Sequence, residues 1–286
     1  MILGAIGLVA VPGYVVLLLV FDIAAEPSER RFVPASAAAG QLAIYLEPLT
    51  VNAINDSMQF RIFFTPDSKL RGTRPDSPDR DLVTVVISGD AVEHYVFRAH
   101  EKMPSANFTV DLVEGSVRSY PNDRYRAELR IQVFEGSSVA GAPLLPAAVT
   151  VWQGTLGFHV EAREVARRSP GDLHLAFDVR RLGALRFFAI AAYVAMALLA
   201  LASLTIGSLV FLGRRRVDAT LMGALGAIIF SLPALRHALP GAPPLGVKAD
   251  MLIFLWAVLA GVLGFTLFVF AWARDGPKPG TPSGGV

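Results

Sequence analysis

Residues 186–216 read RFFAIAAYVAMALLALASLTIGSLVFLGRRR. The 26 residues from Phe187 to Leu212 carry no charge, and they run between Arg186 and the triplet Arg214, Arg215 and Arg216. At about 1.5 Å per residue, a helix of this length crosses a bilayer core of roughly 30 Å with some tilt. Basic residues in short loops are retained on the cytoplasmic side, so the triplet predicts that end inside. The segment that leads into Arg186 then approaches from outside the cytoplasm.

Residues 186–213 are thus read as one span, and two more follow. Residues 218–236 contain the apolar run Ala219–Leu235, with Pro233 near its outer end, and residues 251–273 form the last span. Between them, residues 237–250 make an extracytoplasmic Pro/Gly hairpin. Residues 274–286 are rich in Gly, Pro and Ser and predict a disordered cytoplasmic tail. At the other end, residues 1–22 are apolar from Met1 to Phe21. Ala24 and Ala25 offer small residues for cleavage, but a basic leader is missing, which favours an uncleaved anchor. Four spans put both termini in the cytoplasm. Small residues at four-residue spacing (Ala191 with Ala195, Ala257 with Gly261, Ala260 with Gly264) allow close helix packing, within the chain or against a foreign helix.

Between the first two spans the period changes to two. After a linker over residues 23–39, Leu42, Ile44 and Leu46 alternate with Ala43, Tyr45 and Glu47. Met58, Phe60, Ile62 and Phe64 do the same, as do Tyr125, Ala127, Leu129, Ile131 and Val133. Val83, Val85 and Ile87, then Tyr95 and Phe97, then Phe108, Val110 and Leu112, and the stretches 149–152, 158–165 and 173–179 complete eight or nine short strands. One apolar face per strand, with polar turns between, predicts an antiparallel β-sandwich over residues 40–182. The expected fold class is therefore α+β: four transmembrane helices with this domain inserted between helices one and two. Residues 66–81, PDSKLRGTRPDSPDRD, interrupt the pattern and read as a solvent loop or a contact loop for a partner.

Composition narrows the chemistry. The chain has 286 residues, 53% of them hydrophobic, and a net charge of +2, which exerts little pull on nucleic acid. It contains no cysteine, which removes disulfides, iron–sulfur ligation and thiol catalysis together. Arginine outnumbers lysine 22 to 4, a bias that suggests a GC-rich bacterial genome. The spans hold few polar groups: Tyr193, Ser203, Thr205, Ser208, Ser231 and Thr266, too sparse for a proton or ion pathway. His237 is the only histidine near a span, so haem ligation between helices is not expected, and His94, His100, His159 and His174 lack metal-site spacing. No nucleophile elbow, phosphate loop or dinucleotide turn occurs. No catalytic residue, cofactor or metal is expected.

Two stretches are familiar together. Tyr120-Pro121-Asn122-Asp123-Arg124-Tyr125 precedes the longest alternating strand. Leu232-Pro233-Ala234-Leu235-Arg236 leads to Leu239-Pro240-Gly241-Ala242-Pro243-Pro244-Leu245-Gly246 in the hairpin. Both resemble an uncharacterised bacterial membrane-protein family, domain of unknown function 4436. The resemblance covers nearly the whole chain and implies one span, an extracytoplasmic β-domain and three further spans. That family usually carries an aromatic residue at the position of Asn122. It has no established activity, so the resemblance implies architecture only. The Tyr-Pro-x-Asp turn also resembles that of pentameric ligand-gated channels, whose layout differs: no span before the β-domain, and four after it.

Read physically, Pro121 and the Asn122-Asp123 pair suit a turn packed by Tyr120 and Tyr125. The hairpin prolines stiffen a crossover, and Arg236 is expected to hold the β-domain against the membrane. The leading expectation is a non-catalytic accessory or scaffolding subunit of a larger assembly in the bacterial inner membrane, with other membrane subunits and lipid as partners. The alternative is an extracytoplasmic sensor, or a small-molecule or lipid-binding membrane protein.

Overall fold

The computed structural model describes residues 29–32 and 40–275. The expected anchor (1–22), most of the linker (23–39) and residues 276–286 of the tail lie outside the described residues. The chain divides into two compact units at Leu185 and Arg186, a β-domain and a helical unit.

The β-domain contains β1 (Glu29–Phe32), β2 (Leu42–Asn52), β3 (Ser57–Pro66), β4 (Leu82–Ser88), β5 (Ala91–Phe97) and β6 (Ala106–Gly115). It continues with β7 (Arg124–Glu135), β8 (Ala147–Trp152), β9 (Gly154–Thr155), β10 (Phe158–Ser169) and β11 (Asp172–Arg181). They form one hydrogen-bonded, barrel-like sheet in the order β1-β8-β2-β3-β6-β7-β11-β10-β9, with β4 beside β7 and β5 beside β4. Two long strands make it curve. The first part of β6 pairs with β3, and its last residues, from Leu112, pair with β7. On the same side of β7, Tyr125–Ala127 take β6 and Arg130–Glu135 take β4. The Thr155 hydroxyl donates to the Leu49 carbonyl at 2.7 Å, tying the far end of the sheet back to β2.

The expected all-antiparallel arrangement is corrected at one place: β8 runs parallel to β2, Leu42 facing Ala147 and Leu46 facing Val151. A parallel neighbour requires a long crossover, and here nearly the whole domain lies between the two strands.

Alternation works as expected on most strands. Leu42, Ile44, Leu46, Met58, Phe60, Ile62, Leu129, Ile131 and Phe177 are buried in one core. Phe60 stacks on Phe108 of the adjacent β6 at 5.5 Å and meets Phe177 of β11 at 5.0 Å, a contact that crosses the interior. On β4 the faces are the reverse of the sequence reading. Leu82 and Val86 enter the main core, whereas Val83 and Val85 pack outside with Phe134, Val139 and Ala142. A chain segment after β7 covers this outer face, so β4 is apolar on both sides and its period carries no direction.

The stretch 66–81 is folded down on the domain instead of projecting as a solvent loop. Leu70 and Ser77 are buried, Arg71 and Pro78 form a bridge, and the Asp67 carboxylate accepts four backbone N–H groups, from Gly40, Gln41, Lys69 and Leu70.

The helical unit contains α1 (Gly183–Phe211), α2 (Ala219–His237), a π-helical turn (Asp250–Phe254) and α3 (Leu255–Asp275). Among the described residues, three helices are long and apolar enough to cross a membrane. Gly213 ends α1 with φ +70°, and the Arg214 N–H returns to the Leu209 carbonyl, the left-handed cap that glycine supplies without strain.

Candidate functional site

Three constellations concentrate the polar chemistry, and two of them centre on a buried arginine. In the β-domain, Arg181 Nε lies 2.7 and 2.9 Å from the two oxygens of Asp123. The Tyr125 hydroxyl donates to the same carboxylate at 2.8 Å. The guanidinium lies 4.7 Å from the Tyr120 ring centroid and 4.9 Å from that of Phe158. Asp123 and Arg181 are both almost wholly buried. Burial first, then the hydrogen bond to Asp123, pushes the Tyr125 hydroxyl well above the usual tyrosine range. Pro121 follows a cis bond from Tyr120, and the turn delivers Asp123 into the interior. The expected turn residues Tyr120, Pro121, Asp123 and Tyr125 are thus brought together, and the arginine they surround was missed.

In the helical unit, Arg236 occupies the last turn of α2 and Asp250 opens the π-helical turn before α3. Arg236 Nε and Nη2 meet the two carboxylate oxygens at 2.7 and 2.8 Å. Nη2 also donates to the carbonyls of Pro243 and Pro244, both at 2.9 Å. The Tyr193 hydroxyl of α1 and the Gly246 N–H complete the Asp250 shell at 2.8 and 3.1 Å. All three helices meet at this acid. Proline carbonyls suit the role, because these residues bring no competing N–H donor. Pro240 and Gly241 form the bend, with Gly241 at φ +76°. Arg236, expected to hold the β-domain, makes these bonds within its own hairpin. Asp250, counted as the edge of a loop, was the residue missed.

The third constellation is a helix contact. A Cβ on Gly207 would lie 2.0 Å from the Gly264 carbonyl oxygen, and one on Gly264 would lie 2.5 Å from that of Ser203. The Ser203 hydroxyl donates to the Gly261 carbonyl at 3.1 Å. Backbones approach this closely only where side chains are missing. Ala257, Gly261 and Gly264 are buried as expected for packing, but Ala191 is exposed and Ala195 half-buried. Ser203 and Gly207, again small residues four apart, are the surface that meets Gly264. The arginines Arg214, Arg215 and Arg216 are all exposed beyond the end of α1. Among the described residues, no group of three or more His, Cys, Asp or Glu could hold a metal ion.

Comparison with protein families gives two matches. The model of the Domain of unknown function (DUF4436) matches residues 32–180, just over half of the chain. The chain belongs to the DUF4436 family. A second model, Domain of unknown function (DUF8686), matches residues 181–275. A comparison with curated proteins finds no match. The DUF4436 match covers the Tyr120–Tyr125 turn, whereas the Pro/Gly hairpin falls in the second match. Arg181 lies just past the DUF4436 boundary, yet it completes the buried cluster of that domain.

Proposed function

We propose that the chain is a non-catalytic accessory or scaffolding subunit of a larger membrane assembly, in the bacterial inner membrane. In this reading residues 1–22 add a fourth span, the β-domain is an extracytoplasmic sandwich, and both termini are cytoplasmic. The arginine triplet supports that orientation. So does the Arg236–Asp250 pair, because the one arginine on the outer side of α2 is neutralised by its own acid.

The observation that carries the scaffolding role is the outer face of β5. This strand is an edge, hydrogen-bonded only to β4 among the described residues, so it presents a row of free backbone groups. Val92 and Val96 point outward at 51% and 56% exposure. They stand beside Ile87 and Val83 of β4, with the exposed His94 between them opposite Val85. An edge strand that exposes two valines is suited to strand addition by a partner protein.

The test is cross-linking in native membranes followed by purification in mild detergent. Wild type is expected to carry companion subunits at fixed stoichiometry. The V92K/V96K variant, which charges the edge, is expected to lose them while its thermal unfolding stays unchanged. A protein that purifies alone as a monomer and shows turnover or transport would overturn the reading.

A further inference from the structure

Where α1 ends and α2 begins, the helical unit has an open cavity of about 680 Å³. Its wall is apolar: Ile206, Leu209 and Val210 from α1 and Leu221 from α2. Its mouth carries Arg214, Arg215 and Arg216. The two linings belong to different chemistries, and a ligand that satisfies both must be an amphiphile with an anionic head.

The wall is held in place. Val210 is fully buried and packs with Leu225, Phe268 and Ala271 from the other two helices, and Ile206 and Leu221 border the same cluster. The mouth has charge to spare. Among the described residues no carboxylate pairs with any of the three guanidinium groups. Asp218 is the acid in the lining, and its carboxylate is already engaged. It accepts the Thr220 N–H at 2.9 Å and the Thr220 hydroxyl at 2.7 Å, capping α2. Three guanidinium groups against this one carboxylate leave the lining net positive. Guanidinium groups bind phosphate oxygens through paired N–H donors, and basic pockets between membrane helices accept acidic lipid head groups. The volume falls within the roughly 300–1,000 Å³ of small-ligand sites.

We propose that this cavity binds the head group of an anionic glycerophospholipid. The phosphodiester sits among Arg214, Arg215 and Arg216, and the first methylenes of the acyl chains lie on Ile206, Leu209 and Leu221. Phosphate is the shared chemistry with a soluble anion, but a soluble anion makes no use of the apolar wall. The assignment is independent of the accessory-subunit reading, since it concerns lipid at the helix ends and not a protein on β5.

The experiment uses the full chain in a Trp152→Phe background and a neutral detergent, stripped of native lipid, with thermal unfolding followed by the fluorescence of Trp256 and Trp272. Phosphatidylglycerol is expected to raise the Tm by several degrees and to remain bound one to one in native mass spectrometry. Phosphatidylcholine and inorganic phosphate are expected to do neither. The R214Q/R215Q/R216Q variant should bind phosphatidylglycerol at least tenfold more weakly. Leu221→Trp, which fills the wall and keeps every charge, should weaken it similarly. An equal response to phosphatidylcholine, or a full response to inorganic phosphate, would overturn the proposal. If the triple variant fails to accumulate, Leu221→Trp decides alone: unchanged phosphatidylglycerol retention in that variant sinks the site.

Discussion

Arg181 stands opposite Asp123 at the end of the β7–β11 ladder. Val179 faces Tyr125, and the next inward position on each strand holds one partner of a buried ion pair. The pair therefore replaces an apolar cross-strand contact on the core side of the sheet. Tyr120 and Phe158 on the guanidinium supply the desolvated surroundings, and Tyr125 uses a further lone pair of the carboxylate. Such a pair fixes geometry strongly while adding little net stability, because both ions leave water.

That asymmetry gives a prediction. Arg181→Ala leaves the Asp123 charge buried without its counter-ion and should destabilise the β-domain by about 3–5 kcal/mol. Replacing both partners, as Arg181→Met with Asp123→Leu, should recover most of that loss. Thermal unfolding of the full chain checks it. A double variant no better than Arg181→Ala would show that the network carries more stability than a pair of this kind normally does.

The strand alternation was legible where a strand buries one face only, as β2 does, so Leu42, Ile44 and Leu46 had to share a side. The same parity applied to β7 and β11 places Asp123 and Arg181 inward, so the buried pair was readable in principle. What parity cannot encode is partner identity. Nothing local in Leu42–Leu46 or Ala147–Val151 says that they run parallel, since the pairing is made by residues a hundred positions apart. Small-residue spacing has the matching weakness in helices. It marks a face that allows close approach without naming which face is occupied, which is why Ala191 and Ala195 were chosen and Ser203 and Gly207 were not.

The contact between Gly207 and Gly264 leaves no room for a methyl group. Gly207→Ala should force α1 and α3 apart and lower the unfolding temperature of the helical unit. Gly223→Ala is the matched control, because a Cβ there meets nothing within 4 Å. An interior helical glycine replaced by alanine gains up to about 1 kcal/mol, so this variant should be neutral or stabilised. Trp256 and Trp272 fluorescence, read with Trp152→Phe in place, reports both. Equal effects would mean that the approach of the two backbones carries no packing energy.

Acid sensitivity of the β-domain should come in two stages. Burial, and then the Arg180 charge, hold His159 below its ordinary value, with Glu161 opposing. The folded state thus prefers neutral His159, and its contribution is complete above about pH 6.5 and declines below it. The hydrogen bond from Arg130 holds the Asp172 carboxyl low, against its partial burial. That contribution is present above about pH 4 and is lost as pH falls through the lowered value. Unfolding midpoints measured across pH 3–8 should show both declines, and His159→Gln should remove only the upper one.

The Arg236–Asp250 cluster ranks its own variants. Asp250 accepts from Arg236, Tyr193 and Gly246, whereas the guanidinium keeps only the Pro243 and Pro244 carbonyls if the acid is lost. Asp250→Asn therefore leaves a buried cation facing dipoles alone, and a loss of about 3–5 kcal/mol is expected. Tyr193→Phe removes one hydrogen bond to a charged acceptor and should cost about 1.5–3 kcal/mol. Arg236→Lys keeps the charge but not the fork that reaches the carboxylate and both proline carbonyls at once, which places it between the two. Limited proteolysis of the hairpin over residues 238–249 reports local opening, and tryptophan fluorescence reports the helices. If Tyr193→Phe opens the hairpin more than Asp250→Asn, the hydroxyl from α1 organises this corner and the ion pair only follows it.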